Sequence, residues 1–127
     1  MQATLTISHM LVRLTGVLLL ILGLLIWAER AFNLISVHTI VGLVFVLALW
    51  VHAALSARAG GSTGLAAGVA ATGLVVVVLG MAQRNLLPGD LHWVIQIVHL
   101  LIGMAAVAMA EIIGGRLRRN RLRAATA

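Results

Sequence analysis

The chain has no cysteine, no lysine and no tyrosine, one proline, and only three acidic residues in 127. Without cysteine there are no disulfides, thiolate metal sites, iron–sulfur clusters or covalent haem attachment through C-x-x-C-H. With so few carboxylates there is no paired-acid hydrolytic site, and no phosphate loop or nucleophile-with-base arrangement is present either. Charged residues reach only 9% and apolar ones 62%, against about a quarter and about a half in a soluble domain. That balance excludes a soluble enzyme domain and a disordered regulator and points to a membrane protein. At about 20 apolar residues per crossing, the length holds about four spans and little else.

Four apolar runs stand out, at about Met10–Ala28, Leu34–Ser56, Gly64–Met81 and Leu91–Gly115. Short polar breaks separate them: 29–33, 58–63, and 84–90 with the single proline at Pro88. Asp90 has the chemistry of an N-cap for the last run. The expected fold is all-α: an integral membrane four-helix bundle, up-down-up-down, over 1–115, with a basic tail over 116–127. The first run lacks a charged leader and a small-x-small cleavage site, so it is read as a retained span.

All nine basic residues are arginines. They flank apolar runs, which favours a bilayer over nucleic acid as partner. Arg13, Arg58 and the tail arginines Arg116, Arg118, Arg119, Arg121 and Arg123 fall at one end of the bundle, and Arg30 and Arg84 at the other. The positive-inside rule then places both termini in the cytoplasm of a bacterial-type inner (plasma) membrane, with Trp27 and Trp93 at the outer interface. Gly64, Gly68 and Thr72, spaced by four, give the third span a smooth face suited to close packing.

An internal repeat overlies this plan. Val37-His38-Thr39-Ile40-Val41-Gly42-Leu43 resembles Val98-His99-Leu100-Leu101-Ile102-Gly103-Met104, and Ala-Glu-Arg at 28–30 resembles Ala-Gln-Arg at 82–84. The chain reads as two helix hairpins with V-H-x-x-x-G on the second helix of each.

The histidines carry the chemistry. An ionisable group within a span is a functional hypothesis by default. His38 and His52 stand fourteen residues apart, on one helix face with a rise of about 21 Å. Neutral imidazole is a good iron ligand, and two such ligands near opposite surfaces suit two haems stacked across a bilayer. The repeat pairs His38 with His99, although the distance from the outer turn also admits His92. Depth pairs His52 with His9. Gly42 and Gly103, one turn past their histidines, would leave a slot for a haem edge, or would serve helix packing alone. Arg13 and Glu111 lie at similar depth. They are expected to form an ion pair, with a haem propionate as the other candidate partner of Arg13.

On these histidines the sequence resembles small four-helix membrane b-type cytochromes, in particular bacterial di-haem cytochrome b families. In those, one helix carries two histidines about four turns apart, as His38 and His52 do here. A histidine near the outer start of the second helix followed by a glycine, here His38 and Gly42, and a histidine at the start of the first span, here His9, also match. The resemblance implies one or two haem b groups, metal-ligated by His38, His99, His52 and His9, with transmembrane electron transfer to or from a quinone, a redox partner protein or a larger membrane complex. The fourth helix departs from the pattern: its histidines are seven apart, and position 113 is isoleucine. Two other readings stand beside this one: a non-catalytic accessory or assembly subunit, and a small transporter or proton channel using Arg13, Glu111 and the histidines. Another tetrapyrrole held by the same histidines also satisfies the pattern.

Overall fold

A computed structural model describes residues 2–126. Four helices fill it: α1 (Gln2–Trp27), α2 (Ile35–Arg58), α3 (Thr63–Ala82) and α4 (His92–Thr126). Each is long and apolar enough to cross a membrane, and large aliphatic side chains are exposed along all four. In water such a surface would aggregate, whereas lipid satisfies it. The chain is a multi-pass membrane protein with an all-α four-helix architecture. Consecutive helices pack as antiparallel neighbours, α1 closes the ring against α4, and α2 meets α4 across the diagonal.

Two helix boundaries differ from those expected. Helix α1 begins at Gln2, not Met10. Thr4, Thr6, Ser8 and His9 depress the apolar signal, yet Leu5 and Ser8 are buried, because α2 extends to Arg58 and these first turns cover its end. Helix α4 has no break at 115–116 and runs for 35 residues, about 52 Å. That exceeds a hydrocarbon layer of about 30 Å, so the arginine-rich segment is a helical extension. Buried Leu117 ties its first turn to the bundle, and Ala127 lies outside the described residues. Asp90 stands two residues ahead of α4, one short of the cap position.

The turns have definite chemistry. Helix α1 closes with Arg30 N–H on Leu25 C=O and Glu29 N–H on Ile26 C=O. This is a Schellman pattern that holds Glu29 at φ 58°. Helix α2 ends the same way on Gly60 (φ 82°), with Gly61 N–H on Ser56 C=O. Ser62 then caps α3 by accepting from Leu65 N–H.

The core runs along heptad-like seams. On α2, His38, Phe45 and His52 are seven apart and therefore within about 20° of one face. On α1 the seam holds His9, Gly16 and Gly23 at the same spacing. The antiparallel register sets Gly23 beside His38, Gly16 beside Phe45 and His9 beside His52. Ala106 and Ala110 on α4 are fully buried, and their small size lets α4 close over this seam. On α3, Gly68 faces Met109 of α4, and the Thr72 hydroxyl donates to Gly68 C=O, so the smooth face packs at these two positions, whereas Gly64 is exposed and meets no other helix. Phe45, 2% exposed, is the central plug. Phe45→Ala is expected to cost about 3–5 kcal/mol, read as a lowered unfolding midpoint in detergent.

Candidate functional site

Four of the five histidines come together as two pairs, one toward each end of the bundle. At the end remote from the termini, His38 of α2 faces His99 of α4, with ring centroids 6.5 Å apart and planes tilted by 55°. At the terminal end, His9 of α1 stacks on His52 of α2, with centroids 5.0 Å apart and planes 12° apart. His52 is 1% exposed, and the other three rings are half-buried. His92 is in neither pair. It sits at the start of α4, with Nδ1 3.3 Å from Leu86 O.

Each paired ring keeps one buried nitrogen without a hydrogen bond: Nδ1 of His38 and His99, Nε2 of His9 and His52. Buried polar atoms are nearly always satisfied, and an orphan calls for an explanation. Four such nitrogens, one on each member of two facing pairs, are candidate donors, that of His9 also lying 3.2 Å from Glu111 Oε1. Two metal–imidazole bonds of about 2 Å, with about 1 Å from nitrogen to ring centre, place centroids roughly 6 Å apart. The His38–His99 separation meets that figure. The His9–His52 stack is about 1 Å tighter, so its rings must part before an ion can lie between them. Among the described residues no group of three or more His, Cys, Asp or Glu could hold a metal. A pair of nitrogens is incomplete for an ordinary structural ion, whereas a macrocycle brings its own equatorial ligands and asks the protein for the axial two.

A neighbour orients His52 in the pair nearer the termini. Ser8 Oγ lies 3.0 Å from Leu5 O and 3.1 Å from His52 Nδ1, so it bridges the backbone of α1 to this ring. With Nδ1 engaged by Ser8, Nε2 is the ring atom turned away from α1's serine.

Glycines set the ring positions. A Cβ at Gly23 of α1 would lie 3.4 Å from His38 Cε1, and one at Gly80 of α3 would lie 3.0 Å from His99 Cε1. The first helix of each hairpin thus supports the histidine of the second, which extends the repeat beyond the V-H-x-x-x-G segments. A Cβ at Gly114 would fall 2.6–2.9 Å from three ring atoms of His9. Gly42 and Gly103 contact no histidine: a Cβ at Gly42 would meet only Leu19 at 3.8 Å, and one at Gly103 would meet nothing within 4 Å.

Glu111 links the inner pair to the surface. Its Oε1 is 3.0 Å from Arg13 Nε and 3.2 Å from His9 Nε2, the latter outside hydrogen-bond alignment. The expected Arg13–Glu111 ion pair is formed, so each charge within a span has an opposite partner.

Ser8, Phe45, Gly23, Gly80 and Gly114 were not singled out from sequence. The seven-residue spacings on α1 and α2 carry a signal for Gly23 and Phe45, and the repeat carries a weaker one for Gly80. Ser8 and Gly114 carry none, since each matters only once a second helix is placed against it.

Comparisons with protein-family models, characterised proteins and solved structures return no match. The site therefore rests on its own geometry. Gly114→Ala is expected to destabilise the protein by about 1–3 kcal/mol, because a ring or a helix must move. Gly103→Ala is expected to be neutral or stabilising by up to about 1 kcal/mol. Chemical denaturation in detergent separates the two.

Proposed function

We propose that this protein is a membrane b-type cytochrome that moves electrons across the bilayer between two haem sites. The single observation carrying this reading is the assembly of four histidines into two facing pairs, each ring with an orphaned buried nitrogen. In this reading His38 and His99 hold one haem b, and His9 and His52 hold a second. Haem iron cycling between ferrous and ferric supplies the redox chemistry.

The chain's own residues do the rest. Ser8 would orient the His52 ring through Nδ1. Gly114 gives the His9 ring room that a Cβ would take, while Gly80 lies tightly and Gly23 in ordinary contact against His99 and His38. Gly42 and Gly103 keep the helix surface clear one turn beyond His38 and His99. Arg13, 63% exposed at its side chain, can exchange Glu111 for a propionate, since guanidinium matches any carboxylate. Phe45 fills the level between the pairs and excludes water from it. The arginine distribution favours an inner-membrane location with both termini cytoplasmic, which makes His38–His99 the outer site and His9–His52 the inner one. Electrons would come from a quinol or a partner redox protein.

The second reading, a proton path, draws on Glu111 touching both Arg13 and His9. Colour decides between them. Protein purified from haem-replete cells is expected to give a sharp b-type reduced-minus-oxidised spectrum with two haems per chain. His38→Ala or His99→Ala should remove one haem, and His9→Ala or His52→Ala the other. Ser8→Ala should weaken retention of the inner haem alone, by about 10–100-fold. Colourless protein in which these variants fold normally overturns the cytochrome reading and favours the proton path.

A further inference from the structure

A cavity of about 200 Å³ lies at the end of the bundle that carries the termini, between the α2–α3 turn and α4. It is remote in chemistry from the histidines. Its polar lining comes from Ser56, Gly61, Ser62, Arg116 and Asn120, and Leu117 closes its base. At this size it takes a small group, since drug-sized ligands need about 300 Å³ or more.

The lining is one of donors. Ser56 is 4% exposed as a residue, and its hydroxyl, which is not sealed from the surface, has no hydrogen-bond partner among the described residues. A helical serine ordinarily bonds back to the carbonyl four residues earlier. Ser56 does not, and it borders the cavity instead. Ser62 uses an oxygen lone pair to accept from Leu65 N–H, which leaves its proton to give. Arg116 makes no ion pair among the described residues, and no carboxylate lines the space. The N-terminus of the 20-residue α3 opens here, and its first N–H groups carry partial positive charge. Gly61 makes the turn tight enough: a Cβ there would come within 2.7 Å of Ser56 O and Oγ.

From the Ser56 hydroxyl, which has no protein partner among the described residues and lines this cavity beside a free arginine and a helix N-terminus, we infer that the cavity binds a phosphate group, as the headgroup of an anionic phospholipid. Arg116 and the two serines supply charge-assisted and neutral hydrogen bonds to its oxygens. The lipid source follows from position: the cavity sits where the apolar spans end and the arginines begin, the depth of lipid phosphates.

The test is calorimetric titration of the full chain, in a sugar-headgroup detergent free of phosphate, with dihexanoyl phosphatidylglycerol and separately with inorganic phosphate. One saturable lipid site per chain is expected, weakened at least about tenfold by Arg116→Gln and several-fold by Ser56→Ala, and unaffected by Arg118→Gln. Ser56→Ala removes an unpartnered hydroxyl, so its unfolding midpoint should not fall, which separates lost binding from lost folding. Weak phosphate that competes with the lipid supports the headgroup assignment. Phosphate binding with which the lipid does not compete overturns the lipid source and leaves a free-phosphate site. No saturable binding of either, or equal loss from Arg118→Gln, overturns the site.

Discussion

The antiparallel register of α1 against α2 is the constraint on which the rest depends. It is fixed by a period of seven on both helices, with His9, Gly16 and Gly23 on one and His52, Phe45 and His38 on the other. In lipid the hydrophobic effect does not choose between registers, because tails are as apolar as leucine. Shape and polar satisfaction choose instead. Here a bulky ring meets a glycine at two levels and a second ring at the third. A slip of one turn would set Phe45 against Leu19 or Val12 and leave His52 without Ser8. The placement of α4 follows, since His99 needs the side of His38 left open by Gly23, and Gly114 must pass His9.

Much of this was legible before the fold was known. Four spans, their alternation and the pairing of His38 with His99 follow from hydropathy, turn chemistry and the repeat, because each is a one-dimensional pattern. The partnering of His9 with His52 came from counting residues to the opposite turn, which works when helices are straight and nearly parallel. The helices run past 10 and 115 because apolar run length measures lipid contact, whereas Leu5 and Leu117 are buried by protein. The glycines that touch the rings were missed for a related reason. Sequence offers glycines on the same helix as a histidine, but a ring several ångströms long is accommodated by the helix opposite.

The internal repeat has a structural counterpart that holds at one end only. Gly23 and Gly80 support His38 and His99 in the same manner, so the two hairpins meet as near equivalents there. At the other end the equivalence fails. Ile113, not a second α4 histidine, occupies the position matching His52, and α1 contributes His9 instead. The bundle thus combines a symmetric pair drawn from α2 and α4 with an asymmetric pair drawn from α1 and α2.

That broken symmetry gives the molecule a polarity. One pair of imidazoles has a glycine of a neighbouring helix against each ring. The other has a serine hydroxyl on one ring and a carboxylate–guanidinium couple beside its neighbour. Identical donors in unequal electrostatic surroundings stabilise a given charge to different degrees. The inequality is set by which helices supply the rings.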